Sequence, residues 1–159
     1  MEEPKIIKLQ KLLLVGMQTF GNVEDGSPPQ MWDLLKCNDL DIPNRINNHM
    51  SYAVETYTDE TETLKKWFYM AGVEVDTLDS IPIQLSAKII PDNTYACFEF
   101  KGSISPRLGE LFQYIYKEWL PNSGYEQAQP YDIERYDERF LGVGIDESVL
   151  EILIPISPS

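Results

Sequence analysis

The chain is short of cations, cysteines and histidines, and each shortage removes a class of function. Its 159 residues carry 13 Lys plus Arg against 26 Asp plus Glu, a formal net charge of −13. Affinity for nucleic acid comes largely from Lys and Arg displacing phosphate counterions, so direct DNA or RNA binding is disfavoured. Nucleotides are disfavoured less, because a local basic pocket can override net charge. Cationic or neutral apolar small molecules, and basic protein surfaces, fit the composition. Two cysteines, Cys37 and Cys97, with no short spacing give neither a zinc cluster nor a disulfide framework. The one histidine, His49, excludes any site built on two imidazoles, and no metal is expected. Phosphate-cradling Gly-rich loops are missing, and no cofactor is expected. Ser-His-Asp catalysis would rest on His49 alone, without a nucleophile turn, and nothing brings Cys97 to it. The longest apolar run, Leu12 to Val15, is far short of a membrane span of roughly 20 residues. The start Met-Glu-Glu-Pro lacks the basic and apolar regions of a secretory signal. These features predict a soluble, reduced, cytoplasmic protein without a membrane partner.

What is present suffices for a core: 43% of residues are hydrophobic and 11% aromatic. The length fits a single domain over residues 1–159. Residues 6–20 alternate partially and have strand length if Gln10-Lys11 breaks the run. After a polar turn, Ser27-Pro28-Pro29 signals a helix start, with Met31, Trp32, Leu34 and Leu35 at helical spacing. Residues 38–48, with Asp39 and Asp41, read as loop. Ser51 to Thr58 reads as a strand with Tyr52, Val54 and Thr56 on one side. Lys66 to Val75 reads as another, broken or bulged at Gly72.

The order then repeats. Leu85 to Ile90 and Thr94 to Lys101 are strand-like around Pro91-Asp92-Asn93. Ser105-Pro106 opens a helix whose Leu108, Leu111, Phe112, Ile115 and Trp119 form an amphipathic face, ended by Leu120 to Gly124. Tyr131 to Tyr136 and Val149 to Ile156 are the final strands. Two halves, about residues 1–78 and 79–159, thus share a plan without residue-by-residue identity. They predict an α+β fold: duplicated strand–helix–strand–strand modules forming one antiparallel sheet with two helices and a central cleft.

Several stretches resemble the gyrase-inhibitor-like, or AraC effector-binding, small-molecule-binding family. They are Tyr69-Met70-Ala71-Gly72-Val73-Glu74-Val75, Pro91 to Phe98 with Gly102 after it, and Tyr114 to Tyr125 around Trp119. Ile133-Glu134-Arg135-Tyr136 and Leu150 to Ile156 complete the order. Residues 1–60 match mainly through Trp32. The resemblance implies a cleft for apolar, often cationic, compounds. In multidrug-sensing transcription regulators the family domain is fused to a DNA-binding domain. This chain, strand-like from residue 6, looks like a standalone member. Other standalone members resemble toxin-sequestering or gyrase-protecting proteins, and some are similar to hydrolases that open the cyclopropane of DNA-alkylating natural products.

Glu151 is the sharpest candidate for chemistry. Alternation puts Leu150, Ile152 and Ile154 on one strand face and Glu151 and Leu153 on the other. If that second face lines the cleft, Glu151 anchors a cation or moves a proton; otherwise it is a solvated glutamate. Glu134 shares a face with Asp132 and Tyr136. It is either a second carboxylate for water activation or half of an ion pair with Arg135 or Arg139. Aromatic faces hold flat rings and attract cations. Trp32 and Tyr69 are the preferred ligand-binding aromatics, with Tyr95, Tyr114 and Trp119 as further candidates. Core packing competes for Phe112 and Trp119, and Tyr114 faces either the cleft edge or solvent. Three functions follow: capture of an apolar, aromatic or cationic compound with Glu151 as anchor; hydrolysis of a strained ring by Glu151 or Glu134 and water; or engagement of a basic partner such as gyrase.

Overall fold

The computed structural model describes residues 3–38 and 42–159. Asp39 and Asp41 of the anticipated loop, and the first two residues, lie outside them. Nine strands and a few helices follow in the order β1 (Lys5–Leu9), β2 (Leu12–Gly21), α1 (Ser27–Asn38), β3 (Ser51–Thr56), a short α2 (Thr61–Leu64) and β4 (Trp67–Glu74). The second half runs β5 (Ser86–Ile90), β6 (Asn93–Lys101), α3 (Arg107–Tyr114), a π-helical turn (Ile115–Trp119), α4 (Leu120–Asn122), β7 (Tyr125–Gln127), β8 (Tyr131–Tyr136) and β9 (Val149–Pro158). The apolar run from residue 6 does break at Gln10-Lys11, into β1 and β2. β4 passes through Gly72 unbroken, because Gly72 lies opposite Gly16 on β2. A Cβ on Gly16 would come within 2.0 Å of the Ala71 carbonyl oxygen, so this crossing requires glycine.

The fold is α+β, with every strand pair antiparallel and the order β1-β6-β9-β8-β3-β4-β2-β5; β7 pairs with the end of β9. Exchanging the halves converts β8 to β3, β9 to β4, β6 to β2 and β1 to β5, so the order reads alike from either end. Each half lends its leading strand to the other. β1 pairs with β6 of the second half, and β5 pairs with β2 of the first. β3 and β8 meet in the middle, with Glu55 opposite Asp132 and Ala53 opposite Glu134.

Both main helices lie on one sheet face. α1 buries Met31 and Leu35, four residues apart, against Val15, Ala71 and Val73. α3 and the π-helical turn bury Leu111, Ile115 and Trp119 against Phe98, Leu150, Ile152 and Ile154. Each fully buried Leu or Ile contributes roughly 1.5–3 kcal/mol. The opposite face packs Leu14, Tyr52, Val54, Met70, Ile133 and Leu153 into a third cluster. No helical residue belongs to that cluster, so the sheet curls over its own side chains to bury them. The helices cover the two wings and leave the central strands β3 and β8 open between them.

Candidate functional site

A cavity of about 1050 Å³ fills this gap. Alternation along β3 and β8 turns Glu55, Asp132, Glu134 and Tyr136 toward the helical side. Glu55 and Glu134 line the cavity floor, and Asp132 sits behind them. Glu55 is 8% exposed, Glu134 5% and Asp132 0%. Among the described residues, none of the three is in an ion pair with a lysine or arginine. The trio is not arranged to hold a metal ion either.

Tyrosines from three elements supply the hydrogens. Tyr57, just past β3, donates to Asp132 Oδ2 at 2.6 Å, and Tyr116 of the π-helical turn donates to the same oxygen at 3.0 Å. Tyr136 donates to Glu134 Oε2. Asp132 Oδ1 is buried without a partner. Two unit charges about 4 Å apart repel by roughly 4 kcal/mol at an effective dielectric constant of 20, so three adjacent carboxylates resist full ionisation. Burial, then the charges of Asp132 and Glu134, hold Glu55 well above the usual carboxyl range. Burial also raises Asp132, opposed by its bond from Tyr57. The phenols of Tyr57, Tyr69, Tyr116 and Tyr136 are all pushed up, chiefly by burial, and stay protonated donors.

The walls are aromatic. Trp32 of α1 donates its indole N–H to the Tyr69 hydroxyl of β4 at 2.8 Å. Its ring meets Tyr136 edge-on at 5.1 Å, and Tyr136 meets Phe140 in the same way at 4.7 Å. Trp67 lines the wall with its Nε1 buried and unpartnered, a spare donor. Phe112, which its place on the apolar helix face assigns to core packing, packs against that core and also lines the cavity. Arranged this way, the cavity can receive a flat apolar body and a positive charge together.

Trp32, Tyr69 and Glu134 thus come together in one cavity. Glu151 does not join them. The Leu150, Ile152 and Ile154 face of β9 packs under α3, which turns Glu151 to the other side of the sheet. There Arg135 Nε holds Glu151 Oε2 at 2.6 Å and Arg139 reaches its Oε1 at 3.3 Å. The ion pair considered for Glu134 belongs to Glu151, and the cleft position considered for Glu151 belongs to Glu134. Tyr95 is buried in the cluster on that same far face, its hydroxyl 3.1 Å from that of Tyr131. Trp119 packs edge-on against Phe98 in the α3 core. Tyr114 and Trp119 border a separate hollow of about 460 Å³ near the N-terminus, where Trp119 Nε1 donates to Glu3 Oε2 at 3.2 Å. His49 is exposed and Cys97 buried. Glu55, Tyr57 and Tyr116 carry no site signature in the sequence, and Asp132 is marked only by sharing a face with Glu134. The only signal for Glu55 and Tyr57 was that they alternate with Tyr52, Val54 and Thr56.

Among the described residues, no helix is long and apolar enough to cross a membrane. The GyrI-like small molecule binding domain matches residues 2–157. The transcriptional regulator BrlR of Pseudomonas aeruginosa is 29% identical over 152 residues, which make up 96% of this chain and 54% of that protein. The chain therefore spans about half the length of this curated relative. Among solved structures, SAV2435 bound to tetraphenylphosphonium is similar with a TM-score of 0.75 at 15% identity, over 98% of this chain and 94% of that one. A hydrolase encoded by lin2189 from Listeria innocua has a TM-score of 0.57 at 8% identity, over 98% and 92% of the two chains. Those two likenesses concern the fold.

Proposed function

Since the chain belongs to the family of GyrI-like small-molecule-binding domains, we propose that its central cavity captures an apolar aromatic cation. One observation carries this reading: three buried carboxylates without a cationic partner among the described residues, under an aromatic-walled cavity of about 1050 Å³. A bound cation offsets the repulsion among them, and Trp32, Tyr69 and Tyr136 supply quadrupoles and apolar area. Glu134, lining the floor, takes the anchoring role. The tetraphenylphosphonium bound to SAV2435 supports the choice of that ion as a probe.

Titrating the chain with tetraphenylphosphonium and following tryptophan fluorescence tests the proposal. Saturable 1:1 binding is expected, weakened by about thirtyfold or more in Glu134→Gln, the usual cost of removing one desolvated charge partner. Equal affinity in wild type and Glu134→Gln, or no binding, rejects it.

One observation favours hydrolysis as a second reading. Glu134 accepts from Tyr136 in the same cavity as Glu55, which supplies a carboxylate for water and a phenol for a developing oxyanion. Incubation with cyclopropane-containing alkylators, followed by mass spectrometry, would give a product heavier by one water over many turnovers. Unchanged compound rejects that reading. A basic protein partner such as gyrase draws no specific support from this site.

A further inference from the structure

The supply of hydrogens at the cavity floor is uneven, and it bears on how a cation enters. Each phenol has one hydrogen to give. Tyr57 is 2.6 Å from Asp132 Oδ2 and 3.4 Å from Glu55 Oε2, so its hydrogen goes to Asp132. Tyr116 also donates to Asp132, Tyr136 donates to Glu134, and the Trp32 N–H goes to the Tyr69 oxygen. Glu55 is left with only the longer approach of Tyr57. Its carboxyl lies buried opposite Asp132 and shares the cavity floor with Glu134, where three carboxyl groups resist being ionised together.

We propose that the empty cavity stores a proton on Glu55 and that an apolar cation entering beside Glu134 expels it, so that uptake is a one-for-one exchange of proton for cation. This rests on the reading of the cavity as a cation site. In the exchange the O–H bond of Glu55 breaks, the electron pair stays on the carboxylate, and the proton leaves to solvent as the cation arrives. The charge held by the site is the same before and after.

Among the described residues, no lysine or arginine forms an ion pair with Glu55. β8 presents Asp132, Glu134 and Tyr136 to it, β4 presents Tyr69, the π-helical turn Tyr116, and its own strand end Tyr57. From α1, Asp33 and Lys36 line the cavity, and Lys36 forms no ion pair with the three carboxylates. Lys88 of β5 reaches Thr56 Oγ1 at 3.5 Å, on the other face of β3. Burial and its two acidic neighbours favour protonated Glu55, and a bound positive charge reverses the balance.

Calorimetry with tetraphenylphosphonium, whose charge does not titrate, tests the exchange on the full chain. Titrations near pH 7 in phosphate and in Tris, which differ in ionisation enthalpy, count the protons released. About one proton per cation is expected, and affinity should rise up to about tenfold per pH unit until Glu55 ionises on its own. In a folded Glu55→Gln, whatever its affinity, binding should release no proton and show a flat pH profile. Binding with no proton released and a flat pH profile overturns the exchange and leaves cation capture standing. A proton still released by a folded Glu55→Gln overturns the assignment to Glu55. If that variant does not fold, the buffer dependence of the wild type decides. No binding at any pH between about 5.5 and 8 overturns both readings.

Discussion

Glu55 and Asp132 face each other across two strands with unequal hydrogen-bond supplies: two phenols at 2.6 and 3.0 Å for Asp132, and for Glu55 only the 3.4 Å approach of Tyr57. Both carboxyls titrate above their ordinary range, with burial as the largest cause. Between the unfolded value, about 4, and the raised folded values, the folded chain holds more protons than the unfolded chain. The stability these groups contribute is therefore complete below about pH 4 and is lost as pH rises through the folded pKa values. Thermal unfolding without ligand should show a melting temperature that falls from pH 5.5 to pH 8. Glu55→Gln should flatten that fall and melt several degrees higher at pH 8, since it removes a buried charge of about 1–3 kcal/mol cost. A parallel fall in wild type and variant would show that Glu55 is not the titrating group.

At the scale of the element, β8 sorts its charges by parity. Asp132 and Glu134 face the helices, and Arg135 faces away to hold Glu151 of β9. Glu151→Gln should leave tetraphenylphosphonium affinity within about twofold, while Arg135 loses its anionic partner at a cost of about 1–3 kcal/mol in urea unfolding. A large loss of affinity with unchanged stability would return the anchor to Glu151. Much of this level is legible in the sequence. The β8 bounds, the break at Gln10-Lys11, the two helices and the parity of Glu134 with Tyr136 all follow from apolar period and turn residues. The direction of β9 does not follow. Leu150, Ile152 and Ile154 oppose Leu153, and both faces of a strand buried on two sides are apolar, so alternation cannot say which meets α3. Glu55 was hidden for a related reason. One glutamate alternating with Tyr52 and Val54 reads as a solvent-facing residue until β8 brings two more carboxylates beside it. Tyr116 could not be assigned to the site because only the packing of the π-helical turn over β8 brings it to Asp132.

For the whole molecule, the duplication puts the cavity where the halves meet, and the exchanged edge strands decide how those halves depend on each other. With β1 seated on β6 and β5 on β2, residues 1–80 alone would keep β2 but lack the neighbour that covers its edge, and residues 81–159 would lack the neighbour of β6. Each piece carries what the other misses, the arithmetic of a domain swap within one chain. Expressed as two separate polypeptides, the pieces should be poorly folded apart and should reconstitute on mixing. Gel filtration and circular dichroism of the pieces, alone and mixed, check this; two stable, independent monomers would contradict it. Trp32 comes from one piece and Phe112 from the other, so a compound held between them would act as glue for the reassembled pair. The same interlock would make the chain a two-part sensor, in which a cation held between the pieces lowers the concentration at which they reassemble.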